Sequence, residues 1–232
     1  MIKVLSWNIL HPDYALPDRY NIKPSYLMWK HRKPLIEKEL IKTNADVICL
    51  QEVSHESYPE MKGYEVVLNM NKKRKKEIEK GKKPLLLATY YKSDKFTLMD
   101  TVQNSRTLTL TLKHGNVLMW KIQNVHLPVE VKEQLNHLKH LEGIDVLCGD
   151  FNNFPDSELV KFIKSKSFQI SQPQPKSTYY KEDTIDYIFT TPEYYTKQYW
   201  GTTTKMPSAK WPSDHIWISA FISKARLSFK RL

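Results

Sequence analysis

Apolar residues along the chain come in short runs separated by polar clusters, and most of these runs have the length and the β-branched and aromatic content of strands. Ile2 to Ile9 reads as an opening strand that ends in Trp7-Asn8, and His11 to Ser25, rich in Pro, Asp, Tyr and Asn, reads as a loop. Pro34 can serve as the first residue of a helix that carries Leu35, Ile36, Leu40 and Ile41 toward Asn44 and hands over to the strand Asp46 to Val53, with Glu52 near its end. Tyr64 to Leu68 predicts another strand. The following NKKRKKEIEKGKKP is too charged for a core and reads as a long, basic, mobile loop closing on Pro84. Leu85 to Tyr91 and Phe96 to Met99 are successive strands, and Thr107 to Lys113 with Val117 to Leu127 form a hairpin about His114-Gly115-Asn116. Val131, Leu135, Leu138 and Leu141 share a helical face that Gly143 stops. In DVLCGDFNNFPD, Asp145 to Asp156, a short apolar strand ends at Gly149, which permits a sharp turn and presents Asp150 and Asn152 at the tip. A helix carrying Leu159, Val160, Phe162 and Ile163 starts after Asp156, and Ile185 to Thr190 and Ile216 to Ile222 complete the strands. No internal repeat or boundary interrupts the pattern, so one domain over residues 1–232 is expected.

Composition narrows the class. With 41% hydrophobic residues among 232, the chain can build one large core, and no apolar run approaches membrane-spanning length. The start, MIKVLSWNIL, flows into a strand and lacks the pattern of a secretory signal. Cys49 and Cys148 lie inside apolar runs, which predicts buried reduced thiols and a cytoplasmic protein, with nuclear import through the basic run as the alternative. A formal net charge of +11 points to a polyanionic partner, nucleic acid ahead of an anionic membrane surface. Lys72 to Lys83 supplies more than half of that excess, with eight Lys or Arg against two Glu.

Polar residues recur at the ends of the expected strands: Asn8, Glu52, Asn124, His126, Asp150, Asn152, Asp186, Asp214 and His215. In a sandwich of two sheets, strand ends at one rim surround a single cleft, where carboxylates with amide oxygens and water suit magnesium or manganese. The chain has no HExxH and no paired CxxC, which argues against zinc, and His137 and His140 read as solvated residues of an amphipathic helix. Each site residue also has a plain structural reading: Asn8 could cap a strand, Asp186 could serve a turn, and His126 could be a satisfied core histidine.

The order of these residues carries a resemblance. WN at 7–8, LQE at 50–52, NVHL at 124–127, GDFN at 149–152, IDYIF at 185–189 and SDH at 213–215 resemble the ordered motifs of the endonuclease/exonuclease/phosphatase superfamily, whose fold is like that of deoxyribonuclease I. Trp29 to Arg32 followed by ADVICLQEV, the run VLCGDFNNFPDSELV, and IDYIF followed by PSDH are similar to the carbon catabolite repressor-type deadenylases and their relatives nocturnin and Angel. The resemblance implies an α/β fold, a four-layer α/β sandwich with two packed mixed β-sheets flanked by helices.

It further implies a phosphodiesterase dependent on Mg2+, with Mn2+ as the alternative, acting on single-stranded RNA as a 3′ to 5′ exoribonuclease of poly(A)-deadenylase type. Glu52 would bind the metal with Asn8 beside it, and Asp214 would support the metal or its waters. Asp150 would orient or deprotonate the attacking water, Asn152, His126 and His215 would face the phosphate, and Asp186 would align His215. Leu10 stands where apurinic endonucleases of the superfamily carry an acidic residue, which favours the RNA branch. The segment after His126-Leu127 is abbreviated, with Pro128 immediate, and Tyr180 fits the adenine-stacking position only with a one-residue shift. Lys72, Lys73, Arg74, Lys75 and Lys76 are expected to contact phosphates away from the scissile bond. No leucine-rich repeat for scaffold docking is present. The alternatives are a phosphatase or phosphodiesterase on a dinucleotide or 2′,5′-oligoadenylate, a DNA repair nuclease, and a catalytically silent nucleic-acid-binding domain, although no motif carboxylate is lost.

Overall fold

A computed structural model of the chain describes residues 1–115, 118–201 and 207–224. In chain order it runs β1 (Ile2–Asn8), α1 (Pro17–Tyr20), α2 (Pro24–Leu27), α3 (Trp29–Thr43), β2 (Val47–Val53), β3 (Tyr64–Leu68), α4 (Lys72–Glu79), β4 (Leu86–Lys92), β5 (Phe96–Gln103) and β6 (Thr107–His114). It continues with β7 (Leu118–His126), α5 (Val131–His137), β8 (Val146–Asp150), α6 (Glu158–Ser165), β9 (Gln169–Ile170), β10 (Asp186–Thr190), β11 (Tyr194–Trp200) and β12 (Ile218–Lys224).

The strands form two mixed sheets, ordered β11-β12-β1-β2-β4-β3 and β5-β6-β7-β8-β10-β9. Each holds one parallel pair at its centre, β1 with β2 and β7 with β8, flanked by antiparallel neighbours. These four strands are largely buried because both their faces are covered, and β2 and β8 open on unbroken apolar runs. Between the sheets lie Val4, Val47, Cys49, Leu110, Ile122, Val146, Cys148 and Ile188, and both cysteines are free and buried, as the sequence predicts. Ile36 and Leu40 of α3 cover the outer face of the first sheet, against Leu5, Trp7, Ile48 and Leu50. Leu159, Val160 and Ile163 of α6 cover the second, against Leu147, Tyr187 and Phe189. The four-layer sandwich is therefore the fold of the chain. Among the described residues no helix is long and apolar enough to cross a membrane.

A group of buried amide contacts crosses the apolar interface between the sheets. Gln51 Nε2 donates to Asn124 Oδ1 at 2.8 Å, and Asn124 Nδ2 donates to the carbonyls of Leu50 and Ala88, each at 3.1 Å. Every partner is buried, so the contacts have a fixed geometry and give the side-chain N–H groups of Gln51 and Asn124 acceptors they would otherwise lack.

Several expectations need correction. Lys72 to Lys83 is not a loop throughout, since Lys72–Glu79 is helical. It lacks an apolar face, and what starts it is a cap in which Asn71 Oδ1 accepts the Arg74 N–H at 3.0 Å, helped by an Arg74–Glu77 ion pair at 2.9 Å. The helix expected from Pro34 begins at Trp29, with Pro34 inside it, because tertiary hydrogen bonds from Arg32 hold the preceding turn. A bulge between Leu98 and Asp100 breaks the alternation of β5, which runs on to Gln103. His11 to Ser25 holds the short helix α1 and the start of α2, and β11 follows β10 unannounced. The expected turn residue Asn116 and the strand start Val117 lie outside the described residues.

Gly149 is required where β7 and β8 meet. Its φ is +147°, and a Cβ there would lie 2.0 Å from the Val125 carbonyl oxygen, a backbone atom that cannot swing aside. Gly149→Ala is therefore expected to cost about 3 kcal/mol or more of stability, read as a fall in the denaturation midpoint. A midpoint within error of wild type would mean that β7 and β8 can separate without cost.

Candidate active site

The carboxyl ends of the two parallel pairs face each other across the sandwich and bring together residues far apart in sequence. Asn8 ends β1, Glu52 lies near the end of β2, and His126 and Asp150 pair at the ends of β7 and β8. Asp186, the first residue of β10, pairs with Asp150, and the 213–215 segment closes the group before β12. Asp150 Oδ2 is the hub. It accepts from Asn8 Nδ2 at 3.0 Å and lies 3.8 Å from both His126 Nε2 and His215 Nε2. Asn8 Nδ2 also donates to Glu52 Oε1 at 3.0 Å, so one amide clamps two carboxylates. Glu52 Oε2 accepts the His11 backbone N–H at 2.9 Å, and Asp150 Oδ1 accepts that of Asn152 at 2.9 Å. His215 Nδ1 lies 2.9 Å from Asp186 Oδ2, which fixes the ring with Nε2 toward Asp150.

Local backbone geometry aims these side chains. Leu10, Glu52 and Asn152 have φ of +60°, +58° and +49°, in the left-handed region that costs non-glycine residues of order 1–3 kcal/mol. Asn tolerates this region, whereas Leu and Glu do not, and both are held by their surroundings. Leu10 N–H donates to Asn8 Oδ1 at 3.0 Å, and the Glu52 carboxylate carries the two hydrogen bonds described above. The closing segment is tied down in turn. Ser213 Oγ donates to the Asn8 carbonyl at 2.7 Å, and the indoles of Trp7 and Trp211 both donate to the His215 carbonyl.

Burial and charge shape the chemistry. Asp150 is 2% exposed, and desolvation first, then the neighbouring Asp186, push its carboxyl up to about 6. Burial disfavours the charged form of His215, but Asp186, Asp214 and Asp150 outweigh it and raise the imidazole to about 10, so it is a cation at neutral pH. Desolvation also acts against the Glu52 carboxylate, but His126 and the donors Asn8 and His11 more than offset it and hold that group below its ordinary range. Ligand atoms of Asp150, Asp186 and His215 lie within 4.8 Å of one another, and Asp186 Oδ1 is buried without a hydrogen-bond partner. With Glu52 alongside, these carboxylate oxygens fit a hard divalent cation, and the Asn8 amide, which presents Nδ2 to them, holds two of them in place.

Other expected residues lie elsewhere or are otherwise engaged. Asp214 Oδ2 accepts from the Tyr20 hydroxyl at 2.8 Å and lies 3.9 Å from Arg19, so this carboxylate is committed to α1. Asn152 Nδ2 donates to the Leu127 carbonyl at 2.8 Å, which leaves the second hydrogen of that amide. Pro128 is held through its carbonyl by buried Gln134 at 2.6 Å. Tyr180 packs edge-on against Tyr20 and the cluster of Leu10, Ala15 and Leu27, while Tyr179 lies on His215 with ring centroids 4.6 Å apart. The ring beside the cluster is thus Tyr179. On α4, Lys72, Lys73, Lys75 and Lys76 are exposed, whereas Arg74 is pinned to Glu77 and the Ser105 carbonyl. Sequence reasoning missed Tyr20, His11 and the structural role of Arg32. For Arg32 a signal existed, because a charged residue shares the apolar face of Ile36 and Leu40.

Comparison with known proteins places this geometry. Residues 5–215 match the model of the Endonuclease/Exonuclease/phosphatase family. The CCR4-Not complex 3′-5′-exoribonuclease subunit Ccr4 of Candida albicans is 38% identical over 106 residues, which are 41% of this chain and 13% of that protein. The chain therefore spans a small part of that relative's length. Among solved structures, the human nocturnin catalytic domain with bound sulfate superposes with a TM-score of 0.74 at 22% identity, over 97% of this chain and 93% of that one. ANGEL2, a 2′,3′-cyclic phosphatase, superposes with a TM-score of 0.76 at 20% identity, over 95% of both chains. These two likenesses are of fold. With a family match that runs from β1 to His215, the chain belongs to the endonuclease/exonuclease/phosphatase family of hydrolytic enzymes.

Proposed function

We propose that the chain, acting as one domain, is a divalent-metal-dependent phosphodiesterase that hydrolyses single-stranded RNA from its 3′ end, with poly(A) among its substrates and magnesium as the cation, replaceable by manganese. The observation that carries this reading is the convergence of Asn8, His126 and His215 on one oxygen of Asp150, with Glu52 clamped beside it. The name of the Candida relative, a 3′-5′-exoribonuclease subunit, supports RNA as the substrate class, and the net charge of +11 supports a polyanion.

Glu52, with Asn8 beside it, would hold the cation. When bound, the cation would supply Lewis-acid stabilisation of phosphoryl charge and a more acidic water. The remaining roles belong to the protein. Asp150, buried and raised, accepts a proton from the attacking water and orients it for in-line displacement. His215 donates from Nε2 to a phosphoryl oxygen as negative charge accumulates, and Asp186 holds its orientation and its charge. The second amide hydrogen of Asn152 and the His126 ring add donors to the same phosphate. No covalent nucleophile is needed. A phosphatase or phosphodiesterase on a dinucleotide or 2′,5′-oligoadenylate would use the same residues. It gains support from the commitment of Tyr180 to Tyr20, which leaves fewer rings for a second base.

End-labelled poly(A), mixed-sequence RNA, single-stranded DNA, 2′,5′-oligoadenylate and a phosphorylated dinucleotide, each with magnesium and then with chelator, separate these readings by their product ladders. RNA shortened one nucleotide at a time from the 3′ end is expected, and a chelator is expected to stop it. Asp150→Ala and Glu52→Gln should each lower turnover by about 10² to 10⁴-fold with circular dichroism unchanged. Near-wild-type rates in either variant would remove that residue from the chemistry.

The charge cluster also predicts a pH effect in chelator. The Asp150 pKa is near 6 in the folded state and about 3.9 in the unfolded chain, so the folded state holds this proton more tightly. Its stabilising contribution is complete below the unfolded value and is lost as pH rises through 6. Asp150→Asn removes that loss, so its stability relative to wild type should improve by up to about 3 kcal/mol between pH 4 and pH 7.5. A difference constant across this range, measured by chemical denaturation, would place the carboxyl outside a desolvated cluster.

A further inference from the structure

Beside the catalytic cluster lies a second cavity of about 260 Å³, lined by Tyr14, Arg74, Glu77, Lys82, Lys83 and Arg106 among others. Four of these side chains are cations against the single lining acid Glu77, which is paired with Arg74 at 2.9 Å, and Lys83 lies 3.6 Å from Asp13, so Arg106 and Lys82 are the cations without an acidic partner among the described residues. Arg74 is built in: its two terminal nitrogens serve Glu77 and the Ser105 carbonyl, and its Nε is buried with no acceptor. Arg106 differs, because among the described residues nothing accepts a hydrogen bond from its guanidinium and no carboxylate lies within ion-pair distance. It is half-buried, and desolvation and the nearby Arg74 weigh against its charge more than Glu133, Tyr14 and Glu52 favour it. A partly desolvated guanidinium beside a like charge is costly, and an anion taken up from solution relieves that cost.

The cavity is joined to the catalytic cluster. The Arg106 carbonyl accepts the His126 backbone N–H at 3.1 Å, and Tyr14 packs on His11, whose own N–H donates to Glu52. Its volume falls just below the roughly 300–1,000 Å³ of sites that enclose a whole small ligand, which suits a phosphate and part of its sugar. A guanidinium is the side chain best shaped to hold phosphate oxygens in pairs.

We infer that Arg106, backed by Arg74, Lys82 and Lys83, binds a phosphate of the substrate other than the one cleaved. This rests on the reading of the enzyme as a phosphodiesterase on a nucleic acid or nucleotide. It also moves the distal phosphate contact away from the exposed lysines of α4 and onto the loop between β5 and β6.

The test is binding in chelator, where no turnover occurs, of a fluorescent single-stranded oligoribonucleotide to wild type, Arg106→Ala, Arg106→Lys and Lys197→Ala. Lys197, exposed on β11, controls for net charge. Arg106→Ala should weaken binding about tenfold or more and reduce the salt slope by about one. Arg106→Lys should recover part of the loss, and Lys197→Ala should change little. In turnover, Arg106→Ala should raise KM for the oligonucleotide more than it lowers kcat, and should depress kcat/KM far more than for bis(4-nitrophenyl) phosphate, which has one phosphate. Dinucleotides with and without a terminal phosphate, set against trinucleotides, tell a terminal monoester from a backbone diester. Equal weakening by Arg106→Ala and Lys197→Ala, equal losses on the single-phosphate diester, or no binding by wild type would each overturn the assignment. Failure of wild type to cleave RNA while the binding differences hold would count against the RNA reading alone.

Discussion

The site depends on one buried cation. Arg32, fully enclosed, donates from Nε to the Leu27 carbonyl at 3.0 Å, from Nη1 to those of Ile9 and Pro212 at 2.8 and 3.1 Å, and from Nη2 to that of Leu10 at 2.8 Å. It thus joins the first turn of α3, the chain leaving β1 beyond Asn8, and the segment that delivers Ser213 to His215. No ammonium group could span four carbonyls in this spread, because it lacks the planar fork. Burial pulls the guanidinium down to about 10, with Asp214, Tyr20 and Glu52 acting the other way, so it stays charged at neutral pH. The carboxylates that gather for chemistry therefore also help keep the scaffold's central charge in place.

A site so rich in acids would repel itself without such counterweights. Asp150, Asp186, Asp214 and Glu52 are arranged around His215 and the donors Asn8 and His11, with Arg32 and Arg19 outside them. The balance leaves Asp150 on the edge of protonation and His215 firmly charged, two titratable groups driven to opposite tasks by their surroundings. The left-handed backbone at Leu10, Glu52 and Asn152 is part of the same arrangement.

Much of this was legible in the sequence, and the reasons are physical. The central strands are covered on both faces, so they read as mainly apolar runs, and a polar residue at the end of such a run, as Asn8, Asp150 or Asp186, stands out as facing a cleft. What escaped depends on distant partners. α4 has no apolar stripe and owes its form to a cap and an ion pair, and β11 buries only Tyr194 and Gln198, four positions apart, which is no strand signal. Arg32 was visible, but its acceptors Ile9 and Pro212 are brought to it only by the folded chain. That Tyr179 rather than the expected Tyr180 lies on His215 is a matter of one residue of register. Tyr179 pairs with His215 in an isolated antiparallel bridge, so its neighbour points to the opposite side.

The hydrogen bond from Gln51 to Asn124 sets a limit on how the enzyme can move. Gln51 precedes Glu52, and Asn124 lies two residues before His126, so the bond spans the two sheets just below the cleft floor. Sliding or spreading of one sheet against the other would strand buried amides in an apolar layer that offers them no new partners. The distance between Glu52 on one sheet and Asp150 on the other is thereby set by the core, and entry and exit of substrate fall to the segments along the rim.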